Sequence, residues 1–281
     1  MKKSYIKLIA LTIALTLTLG LSACTYRANG SVIQDVTFDI NYEVDGETKT
    51  INSTLSLYKT FAPETTKRVL SLIKSGFYSN SAITVSKQQD YAVIGSFDYA
   101  DGDYVVKNST ESGIRGEFTQ NGWRSRLSVK PGALVMLRDF DIEDGERKYD
   151  TAKASFAIVL TSESVLNATE YCVFGYIDDA SVESIKTALV DEAGDDGYFK
   201  ARYLGKRENG VQTFEGGFDY YINADKDYFK LDKDGSKIKL EYATEDDVDY
   251  DMYETIKDAD TLQDIFVLPK TVFTVKNFKL K

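Results

Sequence analysis

The chain contains no histidine among its 281 residues. This absence excludes a histidine-based catalytic triad, a histidine general base and the usual zinc sites, because all of them use the imidazole ring. Basic residues are also fewer than acidic ones: the chain has 34 lysines and arginines and 44 aspartates and glutamates, which gives a formal net charge of −10. Because phosphate contacts need clustered cations, this balance argues against nucleic-acid binding.

The first residues have the pattern of an export signal. A short basic start is followed by an apolar run from Leu8 to Leu21 that is too brief for a comfortable membrane span. The run ends in Leu21-Ser22-Ala23-Cys24, which resembles the bacterial lipobox, whose cysteine becomes the lipid-modified first residue. We therefore expect residues 1–23 to be a lipoprotein signal peptide and Cys24 to be the lipidation site of a membrane-anchored, extracytoplasmic bacterial lipoprotein. The alternative is an ordinary signal followed by a chance cysteine.

The segment after this cysteine is expected to be a short polar tether, residues 24–31. The chain has two cysteines, so Cys172 has no partner for an intrachain disulfide once Cys24 carries lipid. Alternating residues over Val32–Tyr42 and Thr48–Tyr58 then predict two strands, and the Asp-Gly pair between them predicts a β-hairpin.

The stretch Leu55–Tyr78 combines the end of a strand with an amphipathic helix. Pro63 suits the first helical position, where its missing N–H costs nothing, and Gly76 suits the left-handed conformation that ends a helix. Apolar residues between them gather on one face at helical spacing. Periodicity alone predicts a strand–helix unit that covers a sheet.

Several segments of this region and beyond resemble the cyclophilin family of peptidyl-prolyl isomerases. The first are Leu57-Tyr58, Ala62-Pro63-Glu64-Thr65 and Gly76-Phe77-Tyr78, which match the opening of that family. Four further segments follow in the family's order: residues 113–123, 131–138, 154–158 and 171–177. The resemblance covers roughly Val36 to Leu189 and implies a mainly β fold, a closed cyclophilin-like β-barrel with two capping helices. The second helix is expected after Asp179 or Ser181 as its cap, with Val182, Ile185 and Leu189 on its inner face.

The remaining chain is longer than the resemblance requires. An acidic, tyrosine-rich stretch, residues 193–261, is expected to be an inserted β-rich lobe, because its aromatic residues can be buried. Asp232-Lys233-Asp234-Gly235 predicts a hairpin inside it. The alternation over Val272–Phe278 predicts the last barrel strand beside the first. We therefore assign residues 32–192 and 262–281 to the barrel.

The resemblance implies a proline-binding groove whose catalytic residues have changed. The family's arginine, which polarises the prolyl amide, falls on or next to Val85, and its glutamine falls on Ile94. The side chains of Val85 and Ile94 can neither donate nor accept a hydrogen bond. Two interpretations follow: either another cation, Arg124, Arg126 or Arg138, reaches the groove, or isomerisation is weak or lost, and we favour the second. Arg138 is expected to pair with a nearby carboxylate.

The candidate residues of the peptide groove are those that align with the family's groove positions. They are Val85, Tyr91, Ala92, Ile94, Met136, Leu137, Phe156, Ala157, Leu166 and Tyr171. For Phe156 and Met136, plain barrel core is an equally good interpretation.

No cofactor or metal is expected. A calcium loop beginning at Asp232 would need a glycine at its sixth position and a glutamate at its twelfth, where the chain has Lys237 and Ala243. The acidic run Glu245–Asp251 is interpreted as a solvated loop.

The sequence as a whole therefore predicts a peptidyl-prolyl isomerase-type folding factor for exported proteins, with weak or lost catalysis. Its expected partners are proline-containing peptides or unfolded exported proteins, and a membrane through the lipid anchor. Two alternatives stay open. One is a non-catalytic peptide- or protein-binding module on the same scaffold, and the other is a surface lipoprotein whose inserted lobe does the recognising.

Overall fold

A computed structural model describes most of the chain after residue 31. It covers residues 32–138, 142–143, 146–190, 198–205, 207–208, 211–212, 217–223, 227–242, 248–258 and 265–281. The expected signal peptide, the lipidation site Cys24 and the tether lie outside these described residues.

The described chain is mainly β, with three α-helices. The first half contains β1 (Ile33–Val44), β2 (Glu47–Tyr58), α1 (Pro63–Lys74), β3 (Ser81–Ser86), β4 (Tyr91–Ala100), β5 (Asp103–Val106), β6 (Ala133–Met136), β7 (Ile142–Glu143), β8 (Glu146–Arg147), β9 (Phe156–Val159), β10 (Cys172–Ile177) and α2 (Asp179–Val190). The second half contains β11 (Tyr198–Tyr203), β12 (Arg207–Glu208), β13 (Val211–Gln212), β14 (Phe218–Asn223), β15 (Tyr228–Leu231), β16 (Lys237–Lys239), α3 (Val248–Asp258), β17 (Ile265–Leu268) and β18 (Thr274–Leu280).

Eight antiparallel strands close into a barrel, which confirms the expected fold class. Their order is β3-β18-β1-β2-β10-β6-β9-β4, and pairing of β4 back onto β3 completes the ring. The last strand, β18, pairs with β1 as expected. The interior is filled by alternate residues of every strand, because neighbouring side chains on a strand face opposite sides of the sheet.

Both expected capping helices are present. Pro63 opens α1, and Gly76 has the left-handed φ of 77° just after its end. Helix α2 places Val182 and Ile185 against the barrel interior. Its cap differs from the expectation: the Asp178 carboxylate accepts a 2.9 Å hydrogen bond from the backbone N–H of Ser181, so Asp178 caps the helix rather than Asp179 or Ser181. The side chain of Leu189 lies outside the described part.

The second half of the chain adds strands to the barrel sheet. From β3 outward the order is β17-β11-β14-β15-β16, all antiparallel. We call these five strands together with α3 the added lobe. Strand β17 falls within 262–281, which was assigned to the barrel, but it pairs with β11 as well as with β3. The Asp232–Gly235 turn joins β15 to β16, as predicted.

The lobe also contains a helix that the sequence patterns did not reveal. Asp249 and Asp251, expected in a solvated acidic loop, lie in the first turn of α3. The Asp249 side chain is largely buried and forms an ion pair with Lys230. Ile256 of the same helix is fully buried in the lobe core. Residues 245–247 of the expected loop lie outside the described residues. At Asp249 the expectation is wrong, because this side chain is packed at a helix edge and paired with a lysine of β15.

Candidate functional site

Five of the ten groove candidates gather on the outer face of the barrel. Tyr91 on β4, Ala157 on β9, Leu137 after β6 and the neighbouring Leu166 and Tyr171 belong to one apolar cluster. We call it the outer-face cluster. All five side chains are at most 3% exposed. A groove that bound peptide from solvent would present some of these side chains to water, and this face does not.

The other candidates lie elsewhere. Ala92, Ile94, Met136 and Phe156 point into the barrel interior, because each precedes or follows an outward-facing residue on its strand. Val85 packs in a third cluster, the core of the added lobe, and its backbone pairs with Val267. The strand period therefore divides the ten residues into three groups that do not share one surface.

Side chains of β17 and of the residue after β11 pack into the outer-face cluster. Phe266 and Leu268 of β17 and Leu204 after β11 all belong to this cluster. The ring of Phe266 meets the ring of Phe97 edge-on, with centroids 5.0 Å apart. Opposite side chains of β17, Ile265 and Val267, enter the lobe core. Strand β17 is thus buried on both faces and joins the two clusters.

Three polar contacts join this side of the lobe to β5. The hydroxyl of Tyr104 donates a 2.7 Å hydrogen bond to the carbonyl oxygen of Pro269, directly after β17. The guanidinium of Arg202 on β11 donates a 2.6 Å hydrogen bond to the carbonyl oxygen of Tyr104. Arg202 also forms ion pairs with Asp219 at 2.7 Å and with Asp103 at 3.1 Å. Arg202 is 6% exposed, so water screens its contacts with Tyr104 and Asp219 little, whereas the Asp103 side chain is 57% exposed and its ion pair is screened more.

The loop that carries Leu166 is fixed by a buried carboxylate. Asp90, in the turn between β3 and β4, accepts a 2.8 Å hydrogen bond from the backbone N–H of Val165. Its other oxygen accepts a hydrogen bond from the hydroxyl of Ser86 at 2.5 Å. Burial, followed by the Asp90 carboxylate, raises the pKa of Tyr91 well above its ordinary value, so this phenol stays neutral.

A guanidinium does lie beside the outer-face cluster. The Cζ atom of Arg138 is 5.3 Å from the ring centre of Tyr171, and it also lies over the rings of Phe118 and Tyr149. Its Nε donates a 3.0 Å hydrogen bond to the backbone carbonyl of Glu170. Arg138 is 2% exposed, so its charge is enclosed by aromatic rings and the backbone rather than presented to solvent. Arg126 lies over the ring of Phe61 instead, at 5.9 Å.

A second buried polar group lies where α1 begins. The two carboxylate oxygens of Glu117 each accept a 2.9 Å hydrogen bond, from the backbone N–H groups of Glu64 and Thr65. The Thr65 hydroxyl donates to the Cys172 sulfur at 3.3 Å. Burial raises the pKa of the Cys172 thiol strongly, so this cysteine is not an activated nucleophile. Glu117 therefore acts as a helix cap supplied from a distant segment.

Two cavities lie at the turn end of the β1–β2 hairpin, and none of the five groove candidates of the outer-face cluster lines either of them. One of about 860 Å³ lies between the far end of the β1–β2 hairpin and α2, and a neighbouring one of about 480 Å³ shares Tyr42 and Thr271 with it. Within the described ranges no cluster of acidic or cysteine side chains could hold a metal ion. None of the described helices is long and apolar enough to cross a membrane.

One family model matches more than half of the chain. The family model for the cyclophilin type peptidyl-prolyl cis-trans isomerase/CLD matches residues 43–198. A cyclophilin-type isomerase from Cryptosporidium parvum is 21% identical, with a TM-score of 0.35 over 55% of this chain and 83% of its own. A cyclophilin from Hirschia baltica is 10% identical, with a TM-score of 0.33 over 87% of this chain and 95% of its own. A search of curated proteins found no match.

Proposed function

Because the chain belongs to the cyclophilin-type peptidyl-prolyl cis-trans isomerase family, we propose that it is a folding factor of this type for exported proteins, in which isomerase catalysis is lost or weak. One observation carries the proposal. The five groove candidates of the outer-face cluster, where the resemblance leads us to expect a proline-binding groove, are each at most 3% exposed. Their burial supports the proposal, because a proline peptide would need contact with these side chains.

The chemistry of the reaction supports the same conclusion. Rotation about an X–Pro bond has a barrier of ~18–20 kcal/mol, and a binding site lowers it by stabilising the rotated amide electrostatically. Val85 and Ile94 offer no polar group for this purpose, and both are buried. Arg138 does carry a suitable charge, but its guanidinium lies among three aromatic rings and donates to the Glu170 carbonyl. It would have to leave these contacts to meet a substrate.

The expected location is part of the proposal. A basic start, an apolar run and the Leu21–Cys24 sequence favour export and lipidation at Cys24. A protein held at the outer face of a membrane by lipid meets exported chains before they fold. Its partners would then be unfolded or extended exported polypeptides rather than nucleic acids, in keeping with the net charge of −10.

A protease-coupled proline-isomerisation assay on residues 25–281 tests the proposal. The substrate is a succinyl-Ala-Ala-Pro-Phe-nitroanilide peptide, and an active cyclophilin serves as the positive control. We expect any acceleration to be far below that of the active cyclophilin at the same concentration. Acceleration comparable to that of the positive control would place catalysis elsewhere on the chain if it persists in the variant Arg138→Gln, and would show that Arg138 reaches substrate if it is lost in that variant. Either result would overturn the proposal.

A non-catalytic polypeptide-binding module on the same scaffold is the second candidate. The cavity of about 860 Å³ between the turn end of the β1–β2 hairpin and α2 favours this candidate, because the cavity is open to solvent whereas the groove candidates are buried. Cavities of ~300–1,000 Å³ are the usual size of ligand sites. This candidate needs no isomerisation.

A further inference from the structure

The loop between β5 and β6 carries a concentration of positive charge on an otherwise acidic protein. Residues 113–131 contain four cations, Arg115, Arg124, Arg126 and Lys130, and one acidic residue, Glu117. We call the four cations the basic patch. All four are exposed, and among the described residues none of them has a carboxylate within ion-pair distance.

Half-buried aromatic rings underlie three of these cations. The pairs, with the distance from cation to ring centre, are Arg115 over Trp123 at 5.7 Å, Arg126 over Phe61 at 5.9 Å and Lys130 over Tyr176 at 4.8 Å. The indole N–H of Trp123 donates a 2.9 Å hydrogen bond to the carbonyl oxygen of Phe61. The ring of Tyr58 contacts the rings of Phe61 and Tyr176. The basic patch therefore lies on a connected aromatic layer, and tryptophan and tyrosine beside cations are typical of surfaces that meet membrane headgroups.

The first residue of the described chain lies beside the same rings. The carbonyl oxygen of Val32 accepts a 2.9 Å hydrogen bond from the backbone N–H of Lys59, and Ile33 pairs with Tyr58 in the β1–β2 ladder. Val32 itself is 52% exposed. The link from Cys24 to the barrel therefore ends next to the basic patch.

The length of this link limits how far the patch can lie from a membrane. Eight peptide bonds separate Cys24 from Val32, and a fully extended chain of that length spans about 26–29 Å. Lipid on Cys24 would hold the patch near the headgroups. An anionic headgroup surface attracts lysine and arginine within about one Debye length, about 8–10 Å at moderate salt.

Most of the negative excess of the chain lies on another side of the barrel. Residues 193–261 hold 18 acidic and ten basic residues, a formal balance of −8 within the total of −10. The described strands of this region join the barrel through β3. In the eight-stranded ring β3 is four strands from β10, whose Tyr176 lies under Lys130. An anionic surface would attract the patch and repel the added lobe.

Acidic side chains on the neighbouring elements do not pair with the patch. They are Asp35, Glu64, Glu117, Asp150 and Glu170. Glu117 is buried and accepts two N–H groups at the start of α1. Asp150 and Glu170 lie at the short turn Thr119–Asn121 and accept hydrogen bonds from side chains of that turn.

The other two acidic residues have a cation nearby. Asp35 follows Gln34, whose side-chain oxygen accepts a 3.0 Å hydrogen bond from the ammonium group of Lys59. Glu64 and Lys67 are three residues apart on α1, a spacing that places them on one helix face. These two acidic residues are therefore offset locally, and the positive excess of the basic patch remains.

We propose that the basic patch lies against anionic lipid headgroups beside the anchored Cys24. The proposal rests on the proposed lipidation, to which it adds an electrostatic signal of the kind that often accompanies acyl chains. Its consequence is orientation. The side of the barrel formed by β2 and β10 faces the membrane, and the added lobe faces away from it, toward exported chains.

Energy transfer from Trp123 tests this orientation, because Trp123 is the single tryptophan of the chain. Residues 24–281 are coupled through Cys24 to a maleimide lipid in vesicles that carry dansyl-labelled headgroups, while Cys172 is buried and does not couple. We expect more transfer on vesicles that contain phosphatidylglycerol than on vesicles of phosphatidylcholine alone. The difference should vanish at about 1 M salt, where the Debye length is about 3 Å.

Variants separate the patch from the net charge. Arg124→Gln with Arg126→Gln should lower transfer on anionic vesicles to the level seen on neutral ones, whereas lysine at both positions should keep it high. Lys74→Gln with Lys233→Gln is the matched control, because it removes the same charge from exposed positions at the end of α1 and in the β15–β16 turn. This control should behave like the wild type.

Three results would overturn the proposal. They are equal transfer on the two kinds of vesicle, equal transfer by the patch variant and the wild type, and an equal loss in the patch variant and its control. Binding of uncoupled residues 25–281 to polyphosphate, lost in the patch variant, together with no preference for anionic vesicles, would overturn it in favour of an anionic polymer. Chemical coupling replaces cellular lipidation here, so these results do not depend on whether cells lipidate Cys24, which fractionation of Cys24→Ser measures separately.

Discussion

The hydroxyl of Tyr104 donates a 2.7 Å hydrogen bond to the carbonyl oxygen of Pro269. Tyr104 lies on β5 at one end of the barrel sheet, and Pro269 directly follows β17, the strand that covers the outer-face cluster. The bond therefore joins the cover to the barrel at a buried position, since Tyr104 is 7% exposed. This contact holds the end of β17 against β5, beside the outer-face cluster.

Replacement of Tyr104 by phenylalanine should destabilise the protein. The change leaves the Pro269 carbonyl buried without its donor, at a cost of about 1–2 kcal/mol in the free energy of unfolding. Urea denaturation of residues 25–281 measures this difference. Tyr99→Phe is the control, because Tyr99 is 38% exposed and should lose little stability. Equal stability of Tyr104→Phe and Tyr99→Phe would show that this bond does not fasten the cover.

Loss of the Arg202 guanidinium should be more costly. Arg202→Gln leaves Asp219 without its closest partner, and we expect a loss of about 3 kcal/mol in the free energy of unfolding at pH 7. Arg202→Lys keeps the charge but not the forked geometry, so it should lose less. A variant Arg202→Gln as stable as the wild type would contradict this assignment.

The pH dependence of that loss has a definite sign. Burial raises the pKa of Asp219, but hydrogen bonds from Arg202 and Lys200 outweigh this effect and hold the pKa below its ordinary value. A lowered pKa stabilises the fold above the ordinary value and loses this contribution as pH falls through the folded-state pKa. The difference between wild type and Arg202→Gln should therefore shrink below about pH 4. A difference that grows in acid would be inconsistent with the ion pair.

Glu117 should show the opposite trend. Burial raises its pKa and outweighs the backbone hydrogen bonds from Thr65 and Glu64, which lower it. A raised pKa gives stability that is full below the ordinary value and is lost as pH rises through the folded-state pKa. Glu117→Gln should be destabilised by about 1–2 kcal/mol near pH 4, since an amide accepts only one of the two N–H bonds.

The same comparison at neutral pH completes the test. The stability advantage of wild type over Glu117→Gln should become smaller at pH 7 than at pH 4, because the wild type then carries a buried charge and the variant does not. Urea denaturation at both pH values measures the two differences. A larger advantage at pH 7 would show that the hydrogen bonds, and not burial, dominate this carboxylate.

Cys24→Ser tests the proposed location. In the full-length protein, expressed in a bacterium that lipidates exported proteins, the wild type should be found in the membrane fraction. The variant should move to the soluble extracytoplasmic fraction, because no acyl chain anchors it. A variant that stays in the membrane fraction would show that another segment holds the protein there.

Local elements of this fold were predictable from the sequence alone. Asp45 and Gly46 form the two-residue turn of the first hairpin with φ values of 52° and 76°, which few residue pairs adopt as easily. Pro63 and Gly76 delimit α1 for similarly local reasons. The closed barrel was predictable only through the family resemblance, since its closure pairs strands far apart in the chain.

The covered face was not predictable, because it depends on contacts between distant residues. Phe97 and Phe266 lie on strands from opposite halves of the chain, and no local pattern relates them. The apolar run Ile265–Leu268 did carry a signal, since four consecutive apolar residues are typical of a strand buried on both faces. The ten groove candidates were chosen by alignment with the family, which placed adjacent residues such as Tyr91 and Ala92 in one groove. Adjacent residues of a strand face opposite sides of the sheet, so these two belong to different clusters.

The accessibility of Leu166 tests the covered face most directly. Leu166→Cys places a thiol inside the outer-face cluster, where Leu166 is 3% exposed, and Val165→Cys places one at the next position, which is 44% exposed. Wild-type residues 25–281, with Cys172 buried, are the blank. With dithionitrobenzoate under native conditions, the thiol of Val165→Cys should react rapidly, and that of Leu166→Cys should react only when the protein unfolds. Equal reaction rates for the two thiols would show that the outer-face cluster is open to solvent, and would contradict this account of lost catalysis.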